Sequence, residues 1–178
     1  MRRAHALCPI VLLGALFGCR HSLDDHEYQD AAPIGRLCTN QASSVSSCAA
    51  AVGHAELGYI QSNIITPKCS AFSSCHGSVS TQDMLDLSQA SGTLGMVDAT
   101  AILDPSRKLV VAGDINKSFL SVMIGAIKPD EADPPLAAIP DSPSTGKEVG
   151  TMPQDNPVMC CEKIDAVTAW IMAGAPNN

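Results

Sequence analysis

Residues 67–77 read PKCSAFSSCHG, and the fold and chemistry of the whole chain turn on how this stretch is understood. It places two thiols, Cys69 and Cys75, with five residues between them, and His76 directly after the second. A thiol beside an imidazole supports two unlike chemistries. Cys69 and Cys75 can close a small disulfide loop that leaves His76 as a surface histidine. Alternatively, sulfur and ring nitrogen can hold one bound group between them.

The compartment bears on that choice, and the N-terminus sets it. MRRAHALCPIVLLGALFGC begins with Arg2 and Arg3, continues with an apolar run to Phe17, and reaches Gly18-Cys19. A charged start, a short apolar core and a small residue before the cut describe a bacterial secretion signal over residues 1–18. The run is short for a bilayer span. LFGC at 16–19 resembles a lipobox, with Phe17 where a smaller residue is usual, and this resemblance makes Cys19 the lipidated new N-terminus. The protein is then expected as a membrane-anchored lipoprotein of the bacterial envelope, periplasmic or surface-facing, in a compartment where disulfides persist.

From Cys19 onward the chain holds about one domain's worth of sequence. Its net charge is −7, and loss of Arg2 and Arg3 leaves it more acidic still, so nucleic acid is not an expected partner. The aromatic residues are few: Phe17, Phe72, Phe119, Tyr28, Tyr59 and Trp170. Residues 19–53 are polar and small, and read as a lipid-proximal tether and lead-in whose second half is tied down through Cys38 and Cys48. Residues 54–178 read as the folded domain.

Within that domain Leu57, Ile60 and Ile64 recur at helical spacing over 54–64, and Thr66-Pro67 predicts the stop. A short apolar patch at Met84, Leu85 and Leu87 leads to a helical turn from Ser88. VVAGDINKSFLSVMIGAI, residues 110–127, predicts an extended run, a turn at Gly113, and a helix capped by Asp114. Its apolar face is Phe119, Leu120, Met123, Ile124 and Ile127. Residues 128–151 are rich in proline and acid without periodicity, so they form a long loop of the kind often tied to function. The final helix, about 160–173, aligns Ile164, Val167, Trp170 and Ile171, with Gly174 as its stop. No strand pair and no repeat is evident, so the class is all-α.

Cys75 followed by His76 shares the end of the C-x-x-C-H pattern of c-type haem attachment. Such a haem needs cysteine thiols for its vinyl groups, a neighbouring histidine for the iron, and a ligand for the far side. A methionine there raises the reduction potential. Thr151-Met152-Pro153 supplies a methionine in a loop before the last helix. The phrases YIQSNIITPKC…CHG, MLDLS, VVAGDINKSFLSVMI, GTMP and IDAVTAWIMAGA occur in the order found in one family. Over about Ala55 to Pro176 the chain resembles a class I cytochrome c, and more narrowly the secreted cytochrome-c-like domains of planctomycetes and related bacteria. The resemblance implies a cytochrome c-like fold of helices and long loops around one covalently attached haem c. His76 is then the near iron ligand, Met152 the distal one and Cys75 a thioether partner.

The departure falls on the other thioether. Either Cys69 reaches the second vinyl group with the extra residues looping outward, or Phe72 stands in the first cysteine's place and Cys75 alone holds the haem. Cys69 is preferred, because a spare thiol in an oxidising compartment needs another partner. Cys38, Cys48, Cys160 and Cys161 remain. Adjacent cysteines bond to each other only with strain, so two disulfides are expected to join Cys38 and Cys48 to Cys160 and Cys161, in an order the sequence leaves open. A zinc site from Cys160, Cys161 and His76 is disfavoured, since such thiolates would oxidise. Met159 and His54 are read as filler and solvated residue rather than ligands, and Trp170 as a core side chain. No Ser-His-Asp arrangement and no paired carboxylates with a defined setting are evident, so an enzyme is not expected. The expected function is electron transfer to a redox protein partner. The alternative is a haem-free, disulfide-stabilised lipoprotein that keeps the scaffold as a binding or structural module.

Overall fold

The computed structural model describes residues 38, 40–42, 44–71, 75–77, 85–143, 146, 149–153 and 159–178. The secretion signal, Cys19, Phe72 and Met84 lie outside the described residues. Among the described residues there are six α-helices: α1 (Ser46–Ala49), α2 (Leu57–Ile60), α3 (Thr66–Lys68), α4 (Ala90–Gly95), α5 (Phe119–Met123) and α6 (Cys161–Met172). A π-helical segment, Gln61–Ile65, joins α2 to α3, and a 3₁₀ turn spans Pro129–Glu131. Among the described residues the chain makes only isolated β-bridges, such as Val97 with Val110 and Lys108 with Ser118.

Helix α6 is the axis of the molecule, packing against α1 and α2. Ile164, Trp170 and Ile171 are fully buried and Val167 nearly so, as their 3.6-residue spacing demands. The Trp170 indole donates to the Pro176 carbonyl at 2.9 Å, so the tail folds back over the ring that fills the core. Gly174 ends the helix at φ +94°, the left-handed conformation that a Cβ disfavours. Around α6 the main core gathers Leu57, Ile60, Ile64, Leu87, Met96 and Val110. Met159 is buried in the same cluster, as a filler.

The first long helix runs further than Thr66-Pro67 predicts, to Lys68. The π segment accounts for this. It ends just before Thr66, so Pro67 falls in the first turn of α3, where a missing N–H costs little. Asp114 also behaves differently from its predicted helix-capping role. Its Oδ1 accepts the N–H groups of Asn116 and Lys117, each at 3.1 Å, which makes it the closing residue of a tight turn. Helix α5 begins later, after Ser118. Ser118 is fully buried; its hydroxyl accepts the Val111 N–H at 2.8 Å and lies 2.6 Å from the Asp114 carbonyl oxygen.

Among its described residues the 128–151 stretch is irregular apart from its 3₁₀ turn, yet it is fastened. Arg107, 6% exposed, pairs with Asp104 at 2.8 Å and donates to the Pro134 carbonyl. Leu136, Ile139 and Val149 pack on a second, smaller cluster of Ala101, Phe119 and Met123.

The packed unit extends back into the lead-in. Cys38, Cys48 and Ala51 are buried, and two disulfides fix them: Cys38–Cys161 and Cys48–Cys160. Both lead-in cysteines therefore join the start of α6, and the order left open by the sequence is settled.

Candidate functional site

Three residues, Leu85-Asp86-Leu87, form the floor on which His76 sits. The Leu87 N–H donates to the His76 carbonyl at 2.7 Å. The Leu85 carbonyl lies 3.2 Å from His76 Nδ1. A neutral imidazole that donates from Nδ1 carries its lone pair on Nε2, the nitrogen a metal would bind, and a carbonyl partner of this kind orients metal-bound histidines.

The floor is itself braced from below. Gln61, buried in the π segment, donates through Nε2 to the Leu87 carbonyl at 2.9 Å and accepts from the Thr93 hydroxyl. Helix α4 can approach this floor only because residue 92 is glycine. A Cβ there would stand 1.7 Å from the Asp86 carbonyl oxygen. Gln61, Thr93, Leu85 and Leu87 were not singled out by the sequence as site residues. A glutamine beside Ile60 carries no signal until the π segment turns it inward.

Cys69 closes the other side. Its carbonyl accepts the His76 N–H at 3.1 Å, so the two ends of the 69–76 stretch meet in one loop. The Cys69 thiol is free, and therefore the Cys69–Cys75 disulfide of the haem-free loop reading does not form. Burial, slightly offset by the charge of Lys68, pushes this thiol up to about 11, so it stays protonated and weakly nucleophilic at neutral pH. Cys75 is disulfide-bonded, and Cys69 is not its partner.

Met152 lies elsewhere, half-buried against the smaller cluster with Phe119 and Met123, its N–H donating to the Met123 carbonyl at 2.6 Å. Leu109 packs against both clusters and is the side chain they share. The loop thus brings Cys69 and His76 together, whereas Met152 packs on the neighbouring cluster.

Other candidates find structural roles. The His54 ring stacks on Tyr59 at 3.8 Å and meets Glu56 at 3.0 Å. Cys160 and Cys161 are bonded to the lead-in, which removes the Cys160–Cys161–His76 zinc arrangement. Lys163, 6% exposed on α6, is held below the usual lysine range by burial and then by the like charge of Lys68. A cavity of about 250 Å³ opens beside α6, lined by Val52, His54, Glu162 and Ala166 among others, away from His76. Among the described residues no helix is long and apolar enough to cross a membrane.

Comparison of the chain with protein-family models, with curated proteins and with solved structures gives no match.

Proposed function

We propose that this chain is a monohaem c-type cytochrome of the bacterial envelope, lipid-anchored through Cys19, that passes single electrons to a protein partner. The observation that carries the reading is the hydrogen bond from His76 Nδ1 to the Leu85 carbonyl, the kind of outer partner that orients metal-binding histidines. The loop closure between Cys69 and His76 adds support, because it offsets the five-residue spacing that departs from the usual pattern.

In this reading Cys75 and Cys69 would hold the haem c through thioethers, His76 would ligate its iron, Met152 would have to reach it from the neighbouring cluster, and the group would supply one-electron chemistry when bound. The chain's own part is to orient His76 from the 85–87 floor and to shelter Met152 with Phe119 and Met123. Thioether formation adds a thiol S–H across a vinyl group, so it requires Cys75 in the reduced state.

The oxidised state of Cys75 favours the second reading, a haem-free disulfide-stabilised lipoprotein that serves as a binding or structural module. One experiment separates them. The full chain is produced with and without a cytochrome c maturation system, and its absorption and pyridine haemochrome spectra are recorded. Covalently retained haem with a low-spin spectrum is expected, and His76→Ala should lose that spectrum. A colourless, folded protein from both preparations would overturn the cytochrome.

A further inference from the structure

Helix α6 starts with a carboxylate in an unusual position. Glu162 is 8% exposed. Its Oε1 accepts the backbone N–H groups of Gln41 at 2.9 Å and Ala42 at 2.7 Å. Its Oε2 is buried and has no hydrogen-bond partner among the described residues. Burying a carboxylate oxygen without a partner is costly, and a native structure that does so calls for a physical reason.

The surroundings supply one. A carboxylate oxygen of Glu162 and the sulfurs of Cys48 and Cys160 all lie within 4.8 Å of one another. Both cysteines are 4% exposed. While the two sulfurs are bonded to each other they offer no thiolate. Reduced, they present two thiolates beside an oriented carboxylate, which is a donor set for a borderline-soft divalent cation. Zinc takes such donors at about 2.0–2.3 Å in tetrahedral array, so modest side-chain rotation brings all three into range. The two backbone donors on Oε1 act as the outer partners that orient a ligating carboxylate. Glu162, alone of the three, also lines the cavity of about 250 Å³ beside α6.

We propose that Cys48–Cys160 is a redox-gated metal site: reduction converts Cys48, Cys160 and Glu162 into a binding site for a zinc-like divalent cation. The reductant is a protein or small-molecule dithiol. Its two sulfurs become a disulfide as the Cys48–Cys160 bond breaks, and its two protons and two electrons yield two thiols. The incoming cation then displaces one proton from each thiol. Packing of α1 against α6 keeps the three donors near one another once the gating bond is open, with or without the neighbouring Cys38–Cys161 bridge.

The probe is Co²⁺, titrated into the full chain before and after reduction by a phosphine that does not chelate the ion. A thiolate-to-cobalt absorption saturating at one equivalent is expected only in the reduced protein. Glu162→Gln should weaken binding at least tenfold, Cys48→Ser should abolish it, and the Cys38→Ser/Cys161→Ser pair should retain it. Far-UV circular dichroism is recorded throughout, and a reduced chain that loses helix should regain it with one equivalent of ion. Absence of stoichiometric binding after reduction would overturn the proposal, whether or not helix is lost. So would undiminished binding by Glu162→Gln, or loss of binding in the Cys38→Ser/Cys161→Ser pair.

Discussion

The two ends of this molecule hold their cysteines in opposite ways. At the start of α6, four thiols are consumed in two bridges that span 123 and 112 residues of sequence. At the 69–76 loop, Cys69 stays a free thiol, and the His76 N–H reaches back to the Cys69 carbonyl to close the loop. The first arrangement restricts the unfolded chain over nearly its whole described length. The hydrogen bond between His76 and Cys69 restricts only a local turn. Stability should therefore sit at the disulfide end, while the chemistry of the proposed cytochrome sits at the loop.

The largest effect that could break this contrast is the loss of both bridges. Cys38 and Cys48 are neighbours, as are Cys160 and Cys161, so either bridge alone already closes the long loop. The second bridge then closes a loop of roughly a dozen residues, worth about 3 kcal/mol on the chain-entropy account. Denaturant unfolding should show a cost of about 3 kcal/mol for Cys48→Ser/Cys160→Ser, and a similar cost for the other pair. The fourfold variant should lose about 8 kcal/mol, more than the two pairs summed. Additive losses would show that the bridges act independently of loop closure.

Gly92→Ala probes the floor under His76. With a backbone oxygen 1.7 Å from the new Cβ, helix α4 must move, at a cost of about 1–3 kcal/mol. The same substitution should disturb the visible spectrum of a haem-loaded chain, since the displaced segment carries the Leu85 carbonyl. A shift in melting temperature with an unchanged spectrum would separate the packing of α4 from the orientation of His76.

His76→Ala should cost little in stability, about 1 kcal/mol for one lost hydrogen bond, measured on the haem-free chain by urea unfolding. A loss several times larger would mean that the loop, too, is a stabilising element.

The smallest expected effect is alkaline. The folded thiol of Cys69 lies at about 11 against an ordinary value of 9.0. A group whose acid form is favoured by folding contributes fully below pH 9, and that contribution fades as pH rises through the window to 11, because the unfolded chain releases its proton first. Stability followed over pH 8–11.5 should fall more in the parent chain than in Cys69→Ser. Alkylation of Cys69 at pH 8 should be slow in the folded state and fast in denaturant.

Local pattern made part of this molecule legible. Helix α6 could be read from Ile164, Val167, Trp170 and Ile171 with Gly174 behind them, because amphipathic spacing and a left-handed stop are properties of neighbouring residues. Adjacency in sequence likewise showed that Cys160 and Cys161 each need a distant partner. The candidate loop and its histidine were visible as a motif. Expectations at helix ends fared less well, at Pro67 and at Asp114, because tertiary context decides where a turn gives way to a helix.

By itself, then, the sequence determined the helical character of α6, the set of cysteines that must cross-link, and the residue types available at the 69–76 loop. Only the tertiary structure decided that Cys38 takes Cys161 and Cys48 takes Cys160. It alone turned Gln61 inward onto the Leu87 carbonyl and set the Glu162 carboxylate beside a disulfide. Periodicity and capping act over a few residues, whereas a pairing between segments more than a hundred residues apart is fixed by distances that exist only once the core has closed.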